Sequence, residues 1–177
     1  YEVYKASGEF DRAVRVIDKM ISTGMGYEEL WLERARIRLW QQYRPEDALS
    51  ELEALLRYNP GWTEAGATRA SALMMLDRCD EAAEAAEALK EAAPGYAELL
   101  RALAFINAGR WNEAKDALSA LCADESYGAL AQAYLALALT DGFEDWDGAY
   151  QALAEAFAGG AADMDAYDAY LQLGHYY

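Results

Sequence analysis

Gly109-Arg110-Trp111-Asn112-Glu113-Ala114 decides how this chain is read, because the phrase returns. Looser copies are Gly8-Glu9-Phe10-Asp11-Arg12-Ala13, Tyr43-Arg44-Pro45-Glu46-Asp47-Ala48, Asp77-Arg78-Cys79-Asp80-Glu81-Ala82 and Glu144-Asp145-Trp146-Asp147-Gly148-Ala149. The closing alanines stand at 13, 48, 82, 114 and 149, in steps of 35, 34, 32 and 35 residues. Such a period marks a repeat array, in which each unit buries its apolar face against its neighbours.

One unit shows the local physics. Tyr96, Leu99, Leu100, Leu103, Phe105 and Ile106 recur at helical spacing. Asn107 to Arg110 then makes a turn, with Gly109 able to take a positive φ. Trp111, Ala114, Leu118 and Leu121 form the apolar stripe of a second helix. Four residues after each signature alanine come Ile17, Leu52, Ala86, Leu118 and Leu153. First helices carry their own echo in Arg34-Ala35, Arg69-Ala70 and Arg101-Ala102. The alanines predict close helix contacts. Pro60 and Pro94 fall 34 residues apart, at one phase of the array. No stretch alternates apolar and polar with β-branched residues, so strands are not expected.

The segment Tyr170-Leu171-Gln172-Leu173-Gly174-His175-Tyr176-Tyr177 has an aromatic, then Leu-Gly, then Tyr. Together with the second-helix phrase and its trailing proline, it resembles the tetratricopeptide repeat (TPR). The resemblance covers essentially the whole chain. It implies an all-α fold, a right-handed α-α superhelix (solenoid) of TPR-like helix-turn-helix repeats. The expected layout is a single array over 1–177, with a partial repeat 1–26, repeats at about 27–60, 61–94, 95–125 and 126–160, and a partial repeat 161–177. Departures are an extra residue in the turn before Ala48, Asp77 in place of the turn glycine, and a longer loop from Thr140 to Asp145.

Composition narrows the partners. The net charge is −16, and residues 116–177 hold 11 acids and no base. Such a surface repels nucleic-acid phosphates, so a nucleic-acid role is excluded. No run reaches the ~18–20 apolar residues of a membrane span. Cys79 and Cys122 stand about 16 Å apart in the repeat frame, beyond the ~7 Å of a disulfide. Two reduced thiols and a cytoplasmic location are the expectation. The chain lacks an initiator Met and both terminal repeats read as incomplete. A segment of a longer protein, or a homodimer through the terminal helices, is expected from that.

Chemistry is thin. His175 is the only histidine, with no ligand cluster beside it. Asp141 to Gly148 imitates a calcium loop in its middle, but Phe143 and Ala154 occupy ligand positions, so acids at a helix start are the better reading. Arg34, Arg69 and Arg101 are expected to cover neighbouring helices and meet acids there. No catalytic, cofactor or metal residues are expected.

The resemblance implies that first helices line a groove that takes a protein or peptide. By phase the groove residues are Arg36, Leu39, Trp40, Ser71, Met74, Met75, Leu99, Leu103, Ile106, Asn107 and Tyr134, about half of which should pack in the core. Family members that clamp a terminal carboxylate use several cations, and only Arg36 and Asn107 remain here. An apolar or amphipathic segment, with basic flanks, is the expected partner. The alternative is a regulatory, targeting or self-assembly module of a larger protein whose catalytic domain lies elsewhere.

Overall fold

The structure, a computed structural model, describes residues 1–24 and 27–160. The motif at 170–177, His175 and the partial repeat 161–177 lie outside the described residues. Ten α-helices and no strand occur among those described: α1 Glu2–Ala6, α2 Phe10–Ser22, α3 Glu28–Arg36, α4 Pro45–Tyr58, α5 Thr63–Met75, α6 Cys79–Glu87, α7 Pro94–Asn107, α8 Trp111–Leu121, α9 Gly128–Phe143 and α10 Trp146–Ala158. A π-helical turn, Ile37–Gln41, extends α3.

The chain divides into two compact units, the first Tyr1–Arg78 and the second from Cys79 onward. In the first, α1 packs on α2, α2 on α3, α3 with its π turn on α4, and α4 on α5. In the second, α6 packs on α7, α7 on α8, α8 on α9, and α9 on α10. Contact with the sequence neighbour is the economy of a repeat array.

The alanines do what their phase predicts. Ala13, Ala48, Ala82, Ala114 and Ala149 are all 0% exposed, and so are Ala35, Ala70 and Ala102. A side chain of one carbon lets the paired backbones approach closely. Ile17, Leu52 and Leu118, four residues on, are buried beside them.

The irregular steps have a structural cause. Each hairpin turn holds one residue at positive φ: Gly8, Tyr43, Asp77, Gly109 and Glu144. In three turns the next N–H donates five residues back, Glu9 to the Tyr4 carbonyl, Arg78 to Leu73 and Arg110 to Phe105. This is the Schellman closure of a helix end. In the other two it reaches six back, Arg44 to Arg38 at 2.8 Å and Asp145 to Leu139 at 3.0 Å. The wider ring absorbs the extra residue ahead of Ala48, where it follows the π turn of Ile37–Gln41.

One expectation needs correction. Thr140 to Phe143 belong to α9, so the loop before α10 is only Glu144 and Asp145. Wide closure at the helix end, rather than added loop, accommodates the length. The two prolines share a phase but not a role. Pro94 opens α7, where its missing N–H costs nothing, while Pro60 sits in the turn ahead of α5. α6 is short because its last bonds tighten, with Leu89 donating to the carbonyl of Ala86 only three residues back.

Candidate partner-binding surface

In the first unit, two of the phase-selected residues meet in one cavity. Arg36 and Trp40 line an open cavity of about 380 Å³ with Lys5, Phe10, Glu33, Ile37 and Gln41. Lys5 arrives from α1, where its ammonium donates to Glu33 Oε1 at 2.5 Å. That hydrogen bond is the main reason the Lys5 ammonium holds its proton above the ordinary lysine value, against some loss of hydration. Arg36 reaches α5 through Glu64, Nη2 to Oε2 at 3.6 Å. Its Nε–H is buried with no acceptor among the described residues. Trp40 is 44% exposed, a large aromatic face left open to solvent.

Lys5 escaped the sequence reading, although its signal was present. It stands three residues before the positive-φ Gly8, as Trp40 stands three before Tyr43, Met74 before Asp77 and Ile106 before Gly109. Phe10 and Glu33 carried no such signal.

Leu39 is fully buried, so it belongs to the core and not to a groove, because the π turn rotates it inward while Trp40 stays outside. On α5, Met75 is 43% exposed and Met74 half-buried. The Ser71 hydroxyl, also half-buried, is taken up by the Ala67 carbonyl at 3.2 Å. These three lie outside the cavity of Arg36 and Trp40.

In the second unit Leu99 is likewise a core residue, 3% exposed, facing Leu118 and Leu121 across the α7–α8 contact. Leu103, Ile106 and Tyr134 are half-buried and rest on that same cluster, with Leu130 and Tyr127. Tyr127 stacks on Tyr96, centroids 5.9 Å apart. Asn107 is exposed and donates its amide to the Leu103 carbonyl at 2.9 Å. The sequence therefore selected a half-buried apolar row on α7 and α9, with one polar end.

The other candidates resolve into structural roles. Asp145 caps α10, its Oδ1 accepting from the Gly148 N–H at 3.0 Å, while 141–143 are helical and cannot wrap an ion. No group of His, Cys, Asp and Glu among the described residues could hold a metal. Arg34 is 8% exposed and ion-paired to Asp18 and Glu51, and Arg38 shares Glu51. Arg101 pairs with Glu98 and lies over Phe105 at 5.5 Å. Cys79 and Cys122 are not joined in a disulfide. No described helix is long and apolar enough to cross a membrane.

No protein-family model and no curated protein sequence matches the chain. Solved structures do. A tetratricopeptide repeat protein from Parabacteroides merdae superposes with a TM-score of 0.83 at 16% identity, covering 97% of this chain and 67% of that one. This is the tetratricopeptide-repeat fold. A thermophilic TPR protein of Thermus thermophilus gives 0.75 at 18% identity, covering 97% and 93%. MamA gives 0.70 at 21%, covering 88% and 91%. The TPR helix pairs explain why the signature alanines are buried where two helices of a hairpin meet.

Proposed function

We propose that the protein is a non-catalytic scaffold that binds an apolar or amphipathic segment of a partner on the inner faces of its first helices. The cavity of Arg36, Trp40 and Lys5 is the observation that carries this reading. An apolar side chain laid on Trp40 would bury its open face, and a carbonyl or carboxylate beside it would meet the half-buried Arg36 guanidinium. The half-buried row of Leu103, Ile106 and Tyr134 offers the second unit's apolar contact. Basic flanks on the partner suit the excess of acids from 116 onward.

Selection from a displayed library of 15-residue segments, followed by titration of the best binder, tests the reading. Trp40→Ala is expected to weaken that binder at least tenfold while the far-UV circular dichroism stays unchanged, as truncating an aromatic anchor does. Equal binding by the variant, or collapse of the helical signal, would sink the assignment.

A further inference from the structure

A second surface lies on α1 and α2, sharing no lining residue with the cavity of Arg36 and Trp40. Tyr4 of α1 and Arg12, Arg15, Val16, Lys19 and Met20 of α2 line an open groove of about 510 Å³. Arg12, Arg15, Val16 and Lys19 fall on one face of α2 by their spacing. Tyr4 and Met20 pack on the core of the first unit, and with Val16 they form a half-buried apolar floor. The cations form the rim.

Those cations have unspent charge. The acids of α2 are engaged away from the groove: Asp11 accepts from the Gln42 amide at 2.7 Å, and Asp18 is paired with Arg34. Arg12 pairs with Glu9 and stands 5.9 Å from the Tyr4 ring centroid. Arg15 and Lys19 are exposed and form no ion pair among the described residues. The first unit also holds 11 of the 15 bases against 13 acids, so it is close to neutral in a chain of net −16. Acidity elsewhere is screened beyond about 8 Å at physiological salt, so the local cations decide what approaches.

We propose that this groove docks an acidic amphipathic helix, with its apolar stripe on Tyr4, Val16 and Met20 and its flanking carboxylates against Arg15 and Lys19. Helix-in-groove binding uses anchors at i, i+3/i+4 and i+7, the same spacing that α2 presents. A bilayer fits less well. The apolar side chains lie at the floor of a concavity, and a flat anionic surface would reach only the rim.

The test is fluorescence anisotropy with a labelled 18-residue helical peptide carrying leucines on one stripe and glutamates on its flanks. The control replaces the glutamates with lysines. The glutamate peptide is expected to bind saturably, and the lysine peptide to bind at least tenfold more weakly. Reversal of both rim charges, Arg15→Glu with Lys19→Glu, is expected to weaken the glutamate peptide about tenfold, since it turns two exposed attractions into repulsions. Both residues are exposed, so the fold should persist; Arg15→Gln with Lys19→Gln is the milder variant, expected to give a smaller loss in the same direction. Trp40→Ala should leave this binding unchanged, which separates failure here from failure of the first surface. Equal binding of the two peptides, no binding of either, or wild-type affinity in the charge-reversed protein would overturn the proposal. So would sedimentation with phosphatidylserine vesicles that is lost on the same reversal, because it would make the surface a membrane site.

Discussion

Gly142 of α9 lies so close to Trp111 of α8 that a β-carbon added to it would stand 2.4 Å from the indole Cγ. Real carbons do not approach that closely, so the tryptophan or the helix would have to move. The hairpin contact around Trp111 therefore depends on a glycine one helix away. In an unconstrained helix interior, alanine is favoured over glycine by about 0.5–1 kcal/mol. Packing predicts the opposite sign here. Gly142→Ala is expected to destabilise by about 1–3 kcal/mol, the usual range for an overfilled core, measured by urea unfolding.

The ion cluster in the first unit makes a second prediction. Arg34 and Glu51 each have side chains only 10% exposed, 3.0 Å apart. Glu51→Ala leaves Arg34 and Arg38 without their shared carboxylate inside the structure. Breaking a buried pair costs about 3–5 kcal/mol. Asp18→Asn touches a partner that is 45% exposed and should cost far less. Chemical denaturation of the two variants side by side checks the ranking.

The hairpin turns predict opposite signs at equivalent positions. Tyr43 has φ 52° and Glu144 φ 53°, in a region that disfavours side chains, while Gly109 holds the same place at φ 67°. Left-handed backbone costs a non-glycine residue about 1–2 kcal/mol. Tyr43→Gly and Glu144→Gly should raise the thermal midpoint, offset in part by the greater freedom of glycine in the unfolded chain. Gly109→Ala should lower it. A lower midpoint in all three would show that the turn conformation is not what limits stability.

Cys122 should be a slow nucleophile. Burial is the first cause that pushes its thiol above the ordinary cysteine value, and Glu155 adds to it. The thiolate that reacts is then scarce at pH 7.4, and it becomes available only as pH rises above the normal thiol range. Iodoacetamide labelling followed by mass spectrometry should modify Cys122 well below the rate of a free peptide cysteine. Cys79, buried in α6, should stay unlabelled until the protein unfolds.

Much of the candidate surface was legible in phase alone. The distance from each turn marked Trp40, Met74 and Ile106 as equivalent, and the same count leads back to Lys5. Burial was less legible. Leu39 and Leu99 carry the same apolar chemistry as Leu103, yet they are core residues, since one residue of helical rotation separates an inner face from a contact face. The ion pairs of Arg34 were hidden for another reason. Asp18 and Glu51 lie on different helices from Arg34, and no periodicity links an arginine to an acid 16 or 17 residues away.

By itself the sequence determined the fold: the period, the buried alanines and the turn positions follow from local helix geometry repeated five times. Only the tertiary structure decided how the odd lengths are absorbed. A hydrogen bond drawn from six residues back closes two turns where five suffices elsewhere, and that choice depends on the neighbouring helix each turn must meet. It also decided which equivalent side chains stay open. Solvent exposure belongs to a pair of packed helices, whereas periodicity belongs to one.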